Sequence, residues 1–203
     1  MKKSRLIIIV AIVALLAVGG AYAAWTSRTT ISVNASSGEM DVAISATSVG
    51  KVSEYVVFGK GDIKVSEDKK AATVTIENLY PGAEANATIV ITNTGTIPVK
   101  LSGATQERIS AIDTKTNKAL PASAAGMLIV KYDATAVTKT GQVKASDSSS
   151  QATATLFPNA NMVIEPGQTI QFEMQIVLDK NAVDDTENAL YTFKFTPMFV
   201  QAN

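Results

Sequence analysis

Beyond residue 23, apolar and polar positions alternate with a period of two in a succession of short runs, the pattern of half-buried β-strands. In the first run, 24–33, Trp25, Thr29, Ile31 and Val33 fall on one face with Ser27 between them. Thr26, Arg28, Thr30, Ser32 and Asn34 fall on the other. The tether Ala35-Ser36-Ser37-Gly38 separates it from 39–49, where Met40, Val42, Ile44 and Ala46 share a face. Residues 55–58 are a short apolar run ended by a predicted turn, Gly59-Lys60-Gly61-Asp62. Residues 63–66 and 72–77 read as strands around the charged turn Glu67-Asp68-Lys69-Lys70, and Pro81-Gly82 marks the next reversal. Residues 87–92 and 97–102 flank Asn93-Thr94-Gly95-Thr96, which predicts a hairpin.

In the second half, 107–118 is polar and reads as a loop or a single helical turn, and 127–132 as a buried strand. The Ser-, Thr-, Lys- and Asp-rich 138–150 reads as an exposed, mobile loop, and 152–157 as a strand. Then 169–178 places Ile170, Phe172, Met174, Ile176 and Leu178 on one face. After an acidic stretch at 179–188, a loop or helical turn, 190–200 places Tyr191, Phe193 and Phe195 on a core face. Pro197 puts the end of that strand on an edge or at a bulge. Short strands, regular turn signals and no sustained helical period predict an all-β sandwich.

Residues 1–23 break the pattern. Lys2, Lys3 and Arg5 precede an unbroken apolar run, and Ala21-Tyr22-Ala23 is a small-x-small site, so the expectation is an export signal cleaved between Ala23 and Ala24. Two alternatives stand beside it. The stretch from Leu6 to Trp25 is charge-free and as long as a bilayer span of about 20 residues. It also suits the helical core of a type IV-like pilus cleaved near Ser4-Arg5. The predicted layout is a signal at 1–23, an N-terminal strand and tether at 24–37, and a sandwich domain at 38–203.

Composition narrows the function classes. Basic and acidic residues balance at 18 each, and loss of the signal leaves the acidic ones in slight excess, so no basic patch points to nucleic acid. There is no cysteine, hence no disulfide framework and no thiol chemistry. Histidine is also absent, which removes the commonest general base and the commonest metal ligand. These absences argue against an enzyme, and no cofactor is expected.

Residues 78–103 and 162–178 both carry an apolar residue, Pro-Gly and then an alternating strand. With the signal ending in Ala-Tyr-Ala and the Ser-Gly-Glu-Met-Asp-Val that follows the first strand, the chain resembles the TasA/camelysin group and its archaeal relatives, the bundling pilins. The resemblance implies a jelly-roll-like sandwich, an extracellular pilus or biofilm-matrix filament, and identical subunits as partners with lateral bundling between filaments. It implies polymerisation by donor-strand exchange, with 24–33 as the donor and no membrane contact after processing. Camelysin-type relatives have been classed as metalloproteases, but this chain has no His-Glu-x-x-His from which to build a zinc site.

The residue chemistry agrees with a donor strand, since an extended peptide added to a sheet edge satisfies unpaired backbone groups while alternate side chains fill pockets. Trp25, Thr29, Ile31 and Val33 would be its anchors, Trp25 in preference to a carbohydrate-stacking role. Burial of such a large apolar side chain contributes about 1.5–3 kcal/mol before ordering costs. The alternative is a monomeric surface domain, adhesive or carbohydrate-binding, whose first strand folds back into its own sheet. Asn34 and Asn86 begin N-x-Ser/Thr triplets and are candidate N-glycosylation sites. Asp179, Asn181, Asp184, Asp185 and Glu187 are weak candidates for a cation through oxygen ligands, and the expected reading is a solvated acidic loop.

Overall fold

A computed structural model describes residues 7, 11–15, 37–138, 141–182, 186 and 188–202. The chain divides into two compact units, 1–37 and 38–203. In the first, residues 11–15 are helical and exposed. No helix among the described residues is long and apolar enough to cross a membrane. The predicted donor strand, its anchors Trp25, Thr29, Ile31 and Val33, the cleavage site at Ala23 and Ala24, and Asn34 all lie outside the described residues.

The second unit consists of two antiparallel sheets packed as a sandwich, the fold class that the alternation predicts. The first sheet holds β1 (Val42–Val52), β4 (Glu84–Asn93), β11 (Thr169–Leu178), β7 (Leu128–Thr138) and β8 (Gly141–Ser149), in that order. The second runs β10 (Val163–Ile164), β5 (Val99–Asp113), β12 (Ala189–Gln201), β3 (Ala72–Glu77) and β2 (Val57–Val65). Two short strands, β6 (Lys118–Ala119) and β9 (Thr153–Leu156), also pair with β5, so its second edge is covered piecewise by β10, β9 and β6. A short helix, α1 (Ala122–Ala125), precedes β7.

The core follows from the period-two pattern. In β4, Ala85, Ala87, Ile89 and Ile91 are buried, and their neighbours across the β11 ladder, Ile176, Met174, Phe172 and Ile170, are buried with them. Tyr191, Phe193 and Phe195 face inward from β12, as predicted. Phe172 packs on Phe195 at a centroid distance of 5.1 Å, and Tyr132 stacks on Phe195 at 5.3 Å. Pro197 falls where β12 has passed the end of β3, with a register shift just beyond it at Met198/Phe199.

Several local expectations are corrected. Residues 87–92 and 97–102 do not form a hairpin, because β4 pairs with β1 and β11 whereas β5 lies in the other sheet. Their connection is a corner between sheets. The buried Asn93 side chain holds it, donating from Nδ2 to the carbonyls of Ile97 and Ile164 at 2.9 Å each, while its Oδ1 accepts from the Gly95 amide at 3.0 Å. Residues 107–113, expected in a loop or a single helical turn, continue β5, since β12 pairs along one edge while β9 reaches Glu107 and β6 pairs with Ile112 and Asp113 on the other. The exposed segment expected at 138–150 is largely β8, in register with β7 from Val130 to Thr138. Residues 59–62 are an irregularity within β2, between the paired Phe58 and Ile63, and not a turn between strands.

Candidate functional site

Two surfaces of the sandwich stand apart from an ordinary solvated exterior, and both involve β1. The first is the seam where β1 and β2, the last strands of their sheets on this side, lie next to each other. Opposed residues of an antiparallel pair share a face. Val49 opposes the buried Ala87, and Val52 the buried Ala85, so both belong to the core face of β1. Val65 opposes the buried Ala72 and belongs to the core face of β2. Yet Val49 remains 38% exposed, Val52 37% and Val65 37%. Core-facing valines that keep more than a third of their surface in water mark a core left open along this seam. Tyr55, in the turn joining the two strands, and Val57 on β2 add exposed apolar surface beside it.

The seam is fastened at one end by polar contacts. The Lys70 ammonium donates to the Asp41 carboxylate and to the Val42 carbonyl. The Ile44 amide donates to the Lys69 carbonyl at 2.8 Å. The Lys70 contact, with Thr94 Oγ1 donating to the other carboxylate oxygen, holds the Asp41 pKa below its ordinary value. The same residues anchor the segment leading into β1. Thr94 and Gly95 amides donate to the Asp41 carbonyl, and the Thr96 amide to the Glu39 carbonyl. A Cβ on Gly95 would lie 2.6 Å from the Asp41 amide nitrogen, so this corner requires glycine.

The second surface is the outer face of the first sheet. There the β1 ladder shifts register between Val49 and Val52, and a bulge of this kind re-aims side chains. Gly50 lies over Asn86, where an added Cβ would come within 3.2 Å of the Asn86 Cβ. A groove of about 400 Å³ opens between them and runs across β4, β11 and β7, lined by Lys51, Asn86, Thr88, Asp133, Glu173 and Gln175. It continues past Lys131 and Ser148 toward β8. Asp133 and Glu173 oppose each other in the β7–β11 ladder, a like-charge pairing that ordinarily costs stability. Ser146 Oγ donates to Asp133, and Gln171 Nε2 donates to Glu173 at 2.7 Å. Asn86 Oδ1 is buried and has no hydrogen-bond partner.

Of the other predicted residues, Asp179 spends a carboxylate oxygen on the Asn181 amide at 2.8 Å, a turn contact. Asp184, Asp185 and Glu187 lie outside the described residues. Among the described residues no three carboxylates gather to hold a metal ion. The candidate sequon asparagine Asn86 is placed in the groove, near the start of the inner strand β4. The groove itself is invisible to a reading of single strands, because its lining comes from four of them.

No family model and no curated protein matches the chain. Among solved structures, TmCBM61 in complex with β-1,4-galactotriose is similar at 8% identity and a TM-score of 0.38, over 79% of this chain and 91% of that one. The enzymatically active domain of tailspike protein 4 from bacteriophage CBA120 is similar at 7% identity and a TM-score of 0.26. That likeness spans 78% of this chain and 19% of the other. At these values neither bears on what this chain does.

Proposed function

We propose that the protein is a structural subunit of an extracellular filament, in which residues 24–33 of one copy add as a strand to the β1/β2 seam of the next. The observation that carries this reading is the open seam: Val49, Val52 and Val65 face the core and remain over a third exposed. Every inner strand of both sheets already has a neighbour on each side, so the added strand extends an edge and does not fill a gap within a sheet. Trp25, Ile31 and Val33 supply the large apolar side chains that such a seam takes up. The contact is head to tail and does not close on itself, so it propagates.

Electron microscopy of the full chain against two variants tests this. Deletion of 24–33 removes the donor, and the double substitution Val49→Thr, Val65→Thr makes the acceptor polar at nearly constant volume. Both are expected to stay folded and to form no filaments, because each loses the burial of two or more apolar side chains at about 1.5–3 kcal/mol apiece. Filaments from the deletion variant would refute strand addition. Filaments from the valine variant alone would move the acceptor away from this seam.

A further inference from the structure

The groove on the outer face of the first sheet belongs to neither the core nor the seam, and its chemistry is specific. Its hydrogen-bonding capacity is largely unspent. Asn86 Oδ1 is buried without a donor, in a position where water is excluded and an unmade bond is costly. Lys51 and Lys131 line the groove and, among the described residues, neither is in an ion pair. Asp133 and Glu173, each able to accept at about four lone-pair sites, receive one side-chain bond apiece. Two ammonium groups share the groove with three carboxylates, of which Asp147 is spent on the Ser148 and Phe157 amides; the Asn86 amide, the Thr88 hydroxyl and Gln175, whose Nε2 donates to Glu84 at 2.8 Å, line it with them. Such a mixture selects neither an anion nor a cation. It offers donors and acceptors interleaved across four strands, which suits a ligand whose groups both donate and accept.

We infer that this groove binds a neutral saccharide, recognised through its hydroxyls by Asn86, Thr88, Glu173 and Asp133. No exposed aromatic ring lines the groove, since Tyr132 at its β8 end is buried in the core, so recognition runs through hydrogen bonds at the edges of the sugar rings and not through stacking on their faces. The carboxylates accept from vicinal hydroxyls, and Lys51 and the Asn86 Nδ2 donate to them. The like-charge opposition of Asp133 and Glu173 costs stability in the free protein and is relieved when hydroxyls bridge the two. This reading does not depend on filament formation, and either can fail without the other.

Calorimetric titration of the purified full chain with neutral gluco-, galacto- and manno-hexasaccharides tests it, with an oligogalacturonate as the anionic control. Saturable binding of at least one neutral probe is expected. Thr88→Val, which keeps the shape of the side chain and removes its hydroxyl, and Asn86→Leu are each expected to weaken binding about tenfold, the equivalent of one hydrogen bond to a charged or buried group. Val200→Thr, on the other sheet, is expected to leave it unchanged. Thr88→Val preserves packing, so its result stands even if Asn86→Leu misfolds. Absence of binding by every neutral probe overturns the inference. So does binding that ignores both groove substitutions, or binding of the oligogalacturonate alone that salt abolishes.

Discussion

The two lateral seams of the sandwich are built from the same materials and finished differently. On the β8 side, Val143 opposes Ala136 and Ala145 opposes Ala134, and both are half-buried against the core. Where the core-facing position becomes Asp147, its carboxylate accepts from the Phe157 amide at 2.7 Å. Phe157 then closes the seam with its ring 5.8 Å from Phe172 and 6.4 Å from Tyr132. β8 itself carries three serines with Lys144 and Asp147, and charges on an edge strand discourage another strand from pairing with it. On the β1/β2 side Val56 and Ile63 are buried and Phe58 is half-buried against the core, yet Val49, Val52 and Val65 remain over a third exposed. One seam is closed by an aromatic ring and the other keeps core-facing valines in water. Strand addition at only one side is what a polar, directional filament requires.

The largest effect in this comparison is expected at the sealed seam. Phe157→Ala removes a ring packed between two others and should cost about 3–5 kcal/mol, read as a fall in the midpoint of denaturant unfolding. Its tolerance without loss of stability would show that the seam is closed by something else. A smaller effect is expected where polar contacts tie the open seam. The Asp41 pKa is held below its ordinary 3.8, so its contribution is fully present above that value and is lost as pH falls through the lower, folded value. The protection of amides 39–44 relative to their intrinsic exchange rates should therefore fall below about pH 3.8, and Asp41→Asn should abolish that fall. An Asn variant that keeps the acid response would assign it to other carboxylates. Asp68 and Asp113 titrate in the same direction, through their bonds with Ser66 and Thr116.

The smallest effect lies away from both seams. Tyr191 is buried with its hydroxyl unpartnered, and burial raises its pKa to about 12. Tyr191→Phe removes a polar group that makes no bond and should raise stability by up to about 1 kcal/mol, measured as a higher thermal midpoint. A loss of stability would mean that the hydroxyl has a bond to water.

How much of this was legible beforehand varies with position in the sheets. β11 was readable in full, 169–178, because a central strand of a sandwich buries one face and the alternation records it. β8 was not, because an edge strand over the rim of the core buries little, and its polar composition imitates a loop. β5 was read only as far as 102, and for its far end the reason is related: residues 107–113 carry no buried side chain and are held by backbone pairing with β12, β9 and β6, which leaves no mark on side-chain pattern. Asn93-Thr94-Gly95-Thr96 marked the break between two strands, but a turn signal is local and says nothing of which sheet the chain enters next, so the expected hairpin was wrong.

By itself, the amino-acid order determined the class of fold, the core faces of the central strands and the absence of histidine and cysteine chemistry, since each rests on residue type or on a two-residue period. Which strands end each sheet, which seam stays open, and the convergence of Lys51, Asn86, Thr88, Asp133 and Glu173 in one groove were decided only by tertiary pairing. Registers between strands distant in the chain set those neighbours, and a register is a property of two segments at once, carried by neither alone.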